Sequence, residues 1–294
     1  MKLHPDKPLA FVACYYNPCG FENRRNNYAK FVEKLGDKAE LLVTVELAFD
    51  NQSFSFEHLP NSIQLRTESM MWQKEALLNI GIKQVVNSGY EYVSWLDADI
   101  EFKNEGWYTQ IVKALDEYQL VHVFENIKRY DDNDKFQLMK GTIASIGYTS
   151  PATGFGWACR SSLFDGDFGL YDRCIVGGGD TLIYAAAAEE MRTWFTKRPP
   201  TVKHGEHIVE WANKWYALTA GDLGYAKNNI DTFYHGDLKQ RNYLNRHEIL
   251  LCNNYSPAGD LTTRSDGVLE WTDSVKPKFK QQIRDYFASR EEDG

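Results

Sequence analysis

The chain of 294 residues is 43% hydrophobic and 14% aromatic, which is enough apolar side chain for a large folded core. Its formal net charge of -8, with no basic stripe along the sequence, disfavours nucleic acid as a partner. The five cysteines include no Cys-x-x-Cys pair, and the sequence has neither a secretory signal nor an apolar window of transmembrane length. We therefore expect a cytoplasmic globular protein with reduced thiols.

The first half of the chain alternates apolar runs with amphipathic runs. Strands are expected over residues 9–16, 41–47, 63–65 and 92–96, and helices over residues 26–35 and 70–86. Strands that alternate with helices in this way predict an α/β fold, in which a mixed, mostly parallel sheet is flanked by helices.

The second half of the chain is less regular. After a helix at 107–118 and a strand at 120–124 comes a polar, glycine-rich stretch, residues 128–156, for which we expect a mobile loop over a site. Further helices are expected at 181–191, 209–218 and 278–290, and a short strand at 232–234. No repeat or linker is visible, so we expect one domain over residues 1–255 and a C-terminal extension over residues 256–294 that packs on it.

A pair of carboxylates follows the fourth expected strand. The apolar run Tyr92–Leu96 leads directly into Asp97 and Asp99. An unpaired buried carboxylate is costly, and a divalent cation that also holds phosphate oxygens removes the cost. Because ligands bind outside the carboxyl ends of parallel strands, the pair indicates a metal–diphosphate site at a sheet edge. A solvated Asp-rich turn is the alternative for Asp-x-Asp taken alone.

A histidine late in the chain is a candidate third metal ligand. His235 follows the short apolar run 232–234, and neutral imidazole binds manganese-like ions beside carboxylates. Taken alone, a structural role for His235 is the commoner case. His122 lies within an expected strand and is assigned to the core.

Three glycines precede a candidate base. Gly177, Gly178 and Gly179 allow the backbone to approach a ligand closely and leave helix N-terminal amides open to it. Asp180 follows in the first helical turn. It is either a general base that removes a proton from an acceptor hydroxyl or a cap of its own helix, and the residues alone favour neither role.

Polar residues at the ends of the first strands are expected to line the same crevice and to bind a nucleotide and its diphosphate. The donor-binding candidates are Tyr16, Asn17, Arg24, Arg25, Glu46, Arg66, Lys74 and Asp97, with Trp157, Gly178 and Gly179 beside the sugar. Taken singly, each charged residue is more commonly a member of a surface ion pair, and Lys74 is expected on the solvated face of its helix. Trp157 is either the floor beneath a sugar or a core side chain.

Taken in chain order, these segments resemble a GT-A glycosyltransferase and, more narrowly, the β-1,4-galactosyltransferase-like group. The resemblance spans about residues 10–250. It is carried by Phe-Glu-Asn-Arg-Arg at 21–25, the helix segment 73–81, Ser-Trp-Leu-Asp-Ala-Asp at 94–99, Gly-Phe-Gly-Trp at 154–157, Gly-Gly-Gly-Asp at 177–180, and Tyr-His at 234–235 with the basic segment 239–246.

The resemblance implies transfer of a sugar, with inversion, from a nucleotide diphosphate sugar to a carbohydrate or glycan acceptor. A UDP-sugar is the donor it favours, and Mn2+ or Mg2+ is the cofactor. It also implies that Asp99 and His235 bind the metal, that Asp97 assists at the metal or the ribose, and that Asp180 is the base.

The chain departs from this group in two respects. Gly179 stands where the group has an acidic residue that helps to hold the acceptor sugar, so the identity of the acceptor does not carry over. The anchor and stem of the animal enzymes are absent, so we expect a bacterial or viral cytoplasmic enzyme.

Two other functions remain open from the sequence. A sugar-nucleotide nucleotidyltransferase shares the sheet and the paired acids, but residues 15–20 match its glycine-rich basic loop poorly. A non-catalytic sugar-binding module explains the aromatic side chains but not the combination of Asp99, Asp180 and His235.

Overall fold

The computed structural model describes residues 7–131, 133, 135–236 and 245–293. Its strands are β1 Leu9–Tyr16, β2 Leu42–Phe49, β3 Ser62–Thr67, β4 Tyr92–Leu96, β5 Ile100–Phe102, β6 Leu120–His122, β7 Asn126–Tyr130, β8 Phe136–Gly141, β9 Gly156–Arg160, β10 Leu223–Tyr225, β11 Asn229–Thr232, β12 Leu261–Thr263 and β13 Leu269–Trp271. Its helices are α1 Glu22–Leu35, α2 Lys74–Asn87, α3 Trp107–Glu117, α4 Ile143–Ile146, α5 Gly179–Ala187, α6 Met191–Lys197, α7 Val202–Thr219, α8 Glu248–Cys252, α9 Pro257–Asp260 and α10 Pro277–Ala288.

The main sheet has the strand order β10-β6-β9-β4-β1-β2-β3. Its strands are parallel except β9, which runs antiparallel to both β4 and β6. The inner strands β2 and β4 are buried along their whole length, as expected for a sheet covered on both faces. The predicted α/β class, with a mostly parallel sheet flanked by helices, is therefore confirmed.

Helix α2 lies unusually close to the sheet. A Cβ atom at Gly81 would come within 2.3 Å of Val12 Cγ1, so only glycine permits this approach. The helix contacts β1, β2 and β4, and its first residue is Lys74. The close packing therefore sets the N-terminus of α2 beside the carboxyl ends of these strands.

A second sheet, with the order β5-β11-β7-β8, joins two distant parts of the chain. Ile100 pairs antiparallel with Thr232, and the Phe233 N–H donates to the Asp99 carbonyl oxygen at 2.8 Å. The segment that follows the paired acids thus lies directly beside the segment that leads to His235.

Four expected elements differ from the structure. The strand expected at 232–234 lies earlier, at 229–232, as β11. Residues 128–156 are not one loop, because they carry most of β7, all of β8 and the helix α4. The polarity of these residues led to the wrong prediction. The hairpin is only partly covered, so it lacks the apolar alternation of a strand with one buried face. The expected helix at 181–191 is divided into α5 and α6 at Glu189, whose φ of 57° ends a helix. Helix α7 begins earlier than expected, where the Thr201 hydroxyl caps the His204 N–H.

The C-terminal segment from α9 onward binds, among other places, to the residue that precedes α2. The Gln73 side chain donates to the Leu269 carbonyl oxygen at 2.8 Å and accepts from the Leu269 N–H at 3.2 Å. Within the described ranges, no helix is both long enough and apolar enough to cross a membrane.

Candidate active site

A cleft of about 550 Å³ opens at the carboxyl ends of β1 and β4. Its walls come from the ends of these strands, the N-termini of α2 and α5, the segment between α4 and β9, and the C-terminal tail. It contains most of the charged residues that the sequence singled out: Arg24, Lys74, Asp97, Asp99, Asp180 and His235. This is the position in which open α/β sheets bind their ligands.

One ammonium group joins two of the cleft carboxylates. Lys74 Nζ lies 2.6 Å from Asp97 Oδ1 and 2.8 Å from Asp180 Oδ2, and its residue is only 7% exposed. The Phe155 N–H donates to the other Asp97 oxygen at 3.0 Å. Lys74 therefore does not lie on a solvated helix face, and Asp97 is held by a cation of the protein itself.

The pKa directions of this cluster follow from its burial. Burial raises the pKa of Asp180, and the attraction of Lys74 opposes this rise without cancelling it. Burial lowers the pKa of Lys74, but Asp180, Asp97 and Glu75 raise it well above its ordinary value. The cluster thus combines a permanent cation with a carboxylate that takes up a proton more readily than an exposed aspartate.

Glu75 lies behind the cluster, against the first residue of α5. Its residue is 3% exposed, and a Cβ atom at Gly179 would come within 2.2 Å of Glu75 Oε1. Any side chain at position 179 would collide with this carboxyl group, which explains the glycine there. Burial raises the pKa of Glu75 to about 8, although Lys74 acts in the opposite direction. The sequence reasoning missed Glu75, whose only signal is its place next to Lys74 at a helix start.

Replacing Glu75 with Gln is expected to change the pH dependence of stability. Wild-type Glu75 keeps its proton in the folded state from its ordinary pKa of 4.5 up to about 8, while the unfolded chain loses it. The wild type should therefore lose stability relative to Glu75→Gln by up to roughly 1.4 kcal/mol per pH unit over this window. Urea unfolding at pH 5, 6.5 and 8 measures the difference. The exposed variant Glu206→Gln is the control, and a difference independent of pH would contradict the prediction.

Asp99 and His235 form a second contact in the cleft. His235 Nε2 lies 3.1 Å from Asp99 Oδ2, and its Nδ1 lies 3.0 Å from the Phe233 carbonyl oxygen. The carbonyl fixes the proton on Nδ1, so the Nε2 lone pair points at a carboxylate oxygen. Two acceptors at this distance repel each other unless a proton or a metal cation lies between them.

The C-terminal tail closes one side of the cleft. Glu292, whose side chain is 1% exposed, accepts from Arg24 Nη1 at 2.9 and 3.1 Å and from Arg290 Nε at 2.6 Å. The next residue, Asp293, accepts from the N–H groups of Glu22 and Asn23 at the start of α1. The sequence did not predict this role, because the charged residues of the tail look like those of any solvated helix end.

Aromatic rings lie under the arginines at this side of the cleft. The Arg24 guanidinium stands 5.1 Å from the Tyr16 ring centre, and that of Arg290 stands 5.2 Å from the Trp72 ring centre. Gly178 also borders the cleft. Of the expected donor-binding residues, Tyr16, Arg24, Lys74, Asp97 and Gly178 thus lie together.

The other expected donor-binding residues lie elsewhere in the structure. Glu46 accepts from the N–H groups of Ser55 and Phe56, and Arg66 donates to the carbonyl oxygens of Asp50 and Gln52, so both hold the loop after β2. The Asn17 side chain binds the backbone of Phe21, and Arg25 is exposed to solvent. Gly179 packs against Glu75.

Trp157 is a core residue and does not line the cleft. It is 0% exposed, and its ring stacks on His122 at a centroid distance of 4.1 Å. Its place in β9, between β4 and β6, directs it into the sheet packing. In the basic segment expected at 239–246, residues 239–244 lie outside the described residues, whereas Arg246 lines the cleft.

No protein-family model matches this chain, and no curated protein sequence matches it. Among solved structures, a mannose-1-phosphate geranyltransferase from Thermus thermophilus is 11% identical with a TM-score of 0.34, and the match covers 77% of this chain and 74% of that one. A protein named as a nucleotide-diphospho-sugar transferase from Desulfovibrio desulfuricans is 9% identical with a TM-score of 0.32, covering 74% and 99%.

Proposed function

We propose that this protein is a metal-dependent glycosyltransferase of the GT-A type. It would move a sugar, with inversion, from a nucleotide diphosphate sugar, a UDP-sugar foremost, to a hydroxyl of a glycan. The observation that carries the proposal is the convergence of the Asp99–His235 pair and the Lys74–Asp97–Asp180 cluster in one cleft at the carboxyl edge of the sheet.

The donor set supports a divalent cation such as Mn2+ or Mg2+. Asp99 offers an oxygen and His235 a nitrogen, a mixture that suits manganese-like ions, and a cation between them relieves the opposition of two acceptors. Within the residues that the structure describes, no three His, Cys or carboxylate side chains form a ready-made metal cluster. The two side chains would therefore hold the ion together with phosphate oxygens of the donor. When bound, it would stabilise the charge on the leaving diphosphate as a Lewis acid.

The nucleotide would occupy the β1 side of the cleft. Arg24 and Arg290 would offer charge to the diphosphate after giving up some of their hydrogen bonds to Glu292. The buried Tyr16 ring beneath Arg24 would hold that guanidinium in place. Burial on this side limits access of water, which favours transfer to the acceptor over hydrolysis of the donor.

Asp180 would act on the acceptor. Its carboxylate would take the proton of the attacking hydroxyl, and its raised pKa brings it closer to the pH at which a base works best. Lys74 would hold the carboxylate in place, and it keeps Asp97 as a partner when Asp180 becomes neutral. Inversion needs one such base and no nucleophile of the protein.

Binding of UDP tests the proposal directly. In the presence of Mn2+, UDP at 100 times its Kd should stabilise the protein by about 2.7 kcal/mol, measured as a thermal shift. Chelation of the metal, or the variant Asp99→Asn, should remove most of this stabilisation, while the exposed variant Asp273→Asn should keep it. A UDP shift that neither chelator nor Asp99→Asn changes would contradict the metal site.

Product analysis separates the proposal from its rivals. Release of pyrophosphate from UTP and a sugar phosphate would identify a nucleotidyltransferase instead. Binding of a UDP-sugar without transfer or hydrolysis would favour a binding module. The five cysteines are free, which supports the reducing cytoplasm that we propose as the location.

A further inference from the structure

The end of the cleft away from β1 is cationic. Helix α4 contacts β6 and β10, on the opposite side of β4 from β1, and the segment after it brings Tyr148 into the cleft. Lys197 and Arg198, at the end of α6, line the same region. Lys197 Nζ stands 4.5 Å from the Tyr148 ring centre. We call Tyr148, Lys197 and Arg198 the α6 cluster.

Helix α5 connects the α6 cluster to the proposed base. Tyr184 lies four residues after Asp180 and therefore on the same face of α5, one turn further along. The ring of Tyr148 packs on that of Tyr184 with a centroid distance of 5.5 Å. A molecule whose hydroxyl reaches Asp180 can therefore extend toward the cluster without crossing the nucleotide side of the cleft.

Two side chains of the cluster present buried donors that make no hydrogen bond to any residue the structure describes. The Tyr148 hydroxyl and the Nε and Nη1 atoms of Arg198 are buried and make no hydrogen bond among the described residues. Buried donors are normally satisfied, and an orphaned guanidinium is the most costly case because it is charged. A ligand that accepts hydrogen bonds from both side chains would remove this cost.

The charges around Arg198 indicate the sign of that ligand. Three of the four carboxylates that border the cleft within the described residues already contact a cation of the protein: Asp97 and Asp180 contact Lys74, and Glu292 contacts Arg24 and Arg290. The fourth, Asp99, contacts the imidazole of His235. The groups that act on Arg198 are Arg246, Tyr148 and Cys174, and its pKa is lowered, first by burial and then by Arg246. The α6 cluster therefore carries positive charge that none of these carboxylates neutralises.

We infer that the α6 cluster is a subsite for an anionic group, a carboxylate or a phosphate, on the acceptor glycan. This inference rests on the proposed function, because it takes Asp180 as the base. The guanidinium of Arg198 would bind the anion through paired N–H groups, and the Tyr148 hydroxyl would donate a further hydrogen bond. The acceptor class would then be acidic or phosphorylated sugars rather than neutral ones.

Equilibrium binding of three simple sugars tests the inference. Glucuronate, glucose 6-phosphate and glucose are titrated into the protein with Mn2+ and saturating UDP, and binding is followed by NMR. At least one charged sugar should bind about tenfold or more tightly than glucose, as expected for a charge-assisted pair. Preference for glucuronate identifies a carboxylate subsite, and preference for glucose 6-phosphate a phosphate subsite.

Two variants test whether the α6 cluster causes the preference for the charged sugar. Arg198→Gln should reduce the preference for the charged sugar to less than about threefold, and Tyr148→Phe, which removes only a hydroxyl, should reduce it in the same direction. Arg192→Gln removes an arginine from the exposed side of the same helix and should keep the preference.

Several results would overturn the inference. The first two are equal binding of charged and neutral sugars and no measurable binding of either charged sugar. The third is a preference for the charged sugar that persists in Arg198→Gln. The fourth is displacement of UDP by the charged sugar, which would assign the cluster to the donor. Absence of UDP binding would overturn the proposed function and the inference together. Binding of UDP without preference for an anion would overturn the inference alone.

Discussion

Replacing Asp180 with Asn is expected to lower the turnover number by about 10²- to 10⁴-fold, the range that a positioned general base contributes. The amide keeps the size of the carboxylate but cannot take a proton, and it leaves Lys74 with Asp97 as its anionic partner. Steady-state rates with a UDP-sugar and its acceptor measure the effect. Asp167→Asn, on an exposed loop, is the matched control.

The pH profile of the wild type provides a second readout of the same role. Because the pKa of Asp180 is raised, the base is protonated and inactive at low pH, and turnover should increase with pH until the carboxylate is ionised. This acidic limb should lie above the ordinary range of an aspartate and should be absent from the residual activity of Asp180→Asn. An unchanged rate in the variant would exclude Asp180 as the base.

Replacing Glu292 with Gln is expected to cost about 3–5 kcal/mol of unfolding free energy at pH 7. The change leaves the guanidinium groups of Arg24 and Arg290 close together in a buried site without their shared anion. Urea unfolding measures the loss, and Glu206→Gln again serves as an exposed control. A loss of less than about 1 kcal/mol would mean that solvent already screens the two arginines.

The contribution of Glu292 should also depend on pH. Burial raises the pKa of Glu292, but Arg24 and Arg290 together lower it from its ordinary value of 4.5 to about 2. This depression corresponds to roughly 3 kcal/mol of stability, which is present above pH 4.5 and is lost as the pH falls toward 2. The difference between the wild type and Glu292→Gln should therefore shrink on acidification over that window.

Much of the scaffold was predictable because it follows from short-range patterns. Continuous apolar runs correctly predicted β1, β2 and β4, and the acids after β4 were correctly expected at the carboxyl edge of the sheet. Polar stretches were harder to interpret. The hairpin of β7 and β8 is only partly covered and buries Ile127 alone, so its sequence shows no regular alternation. The break between α5 and α6 depends on a single positive φ.

The composition of the cleft was only partly predictable. Sequence order correctly placed Asp99, Asp180 and His235 in the cleft, since Asp99 and His235 follow short apolar strands and Asp180 lies at the start of a helix. It did not identify Glu75 or Glu292, because their importance arises from contacts between segments far apart in the chain: Glu75 with Gly179, and Glu292 with Arg24. The same reasoning placed Trp157 and Glu46 near a ligand, although packing within the sheet and a local loop engage them instead.

The contact between Glu75 and Gly179 restricts which substitutions can accumulate in this pocket during evolution. Glu75 leaves no room for a side chain at position 179, so the two positions should evolve as a pair. A side chain becomes tolerable at 179 only after Glu75 has been shortened, which means that the order in which the two mutations occur determines whether the intermediate protein survives. A carboxylate contributed by one helix could thereby be exchanged for one contributed by the other, with the surrounding backbone left in place.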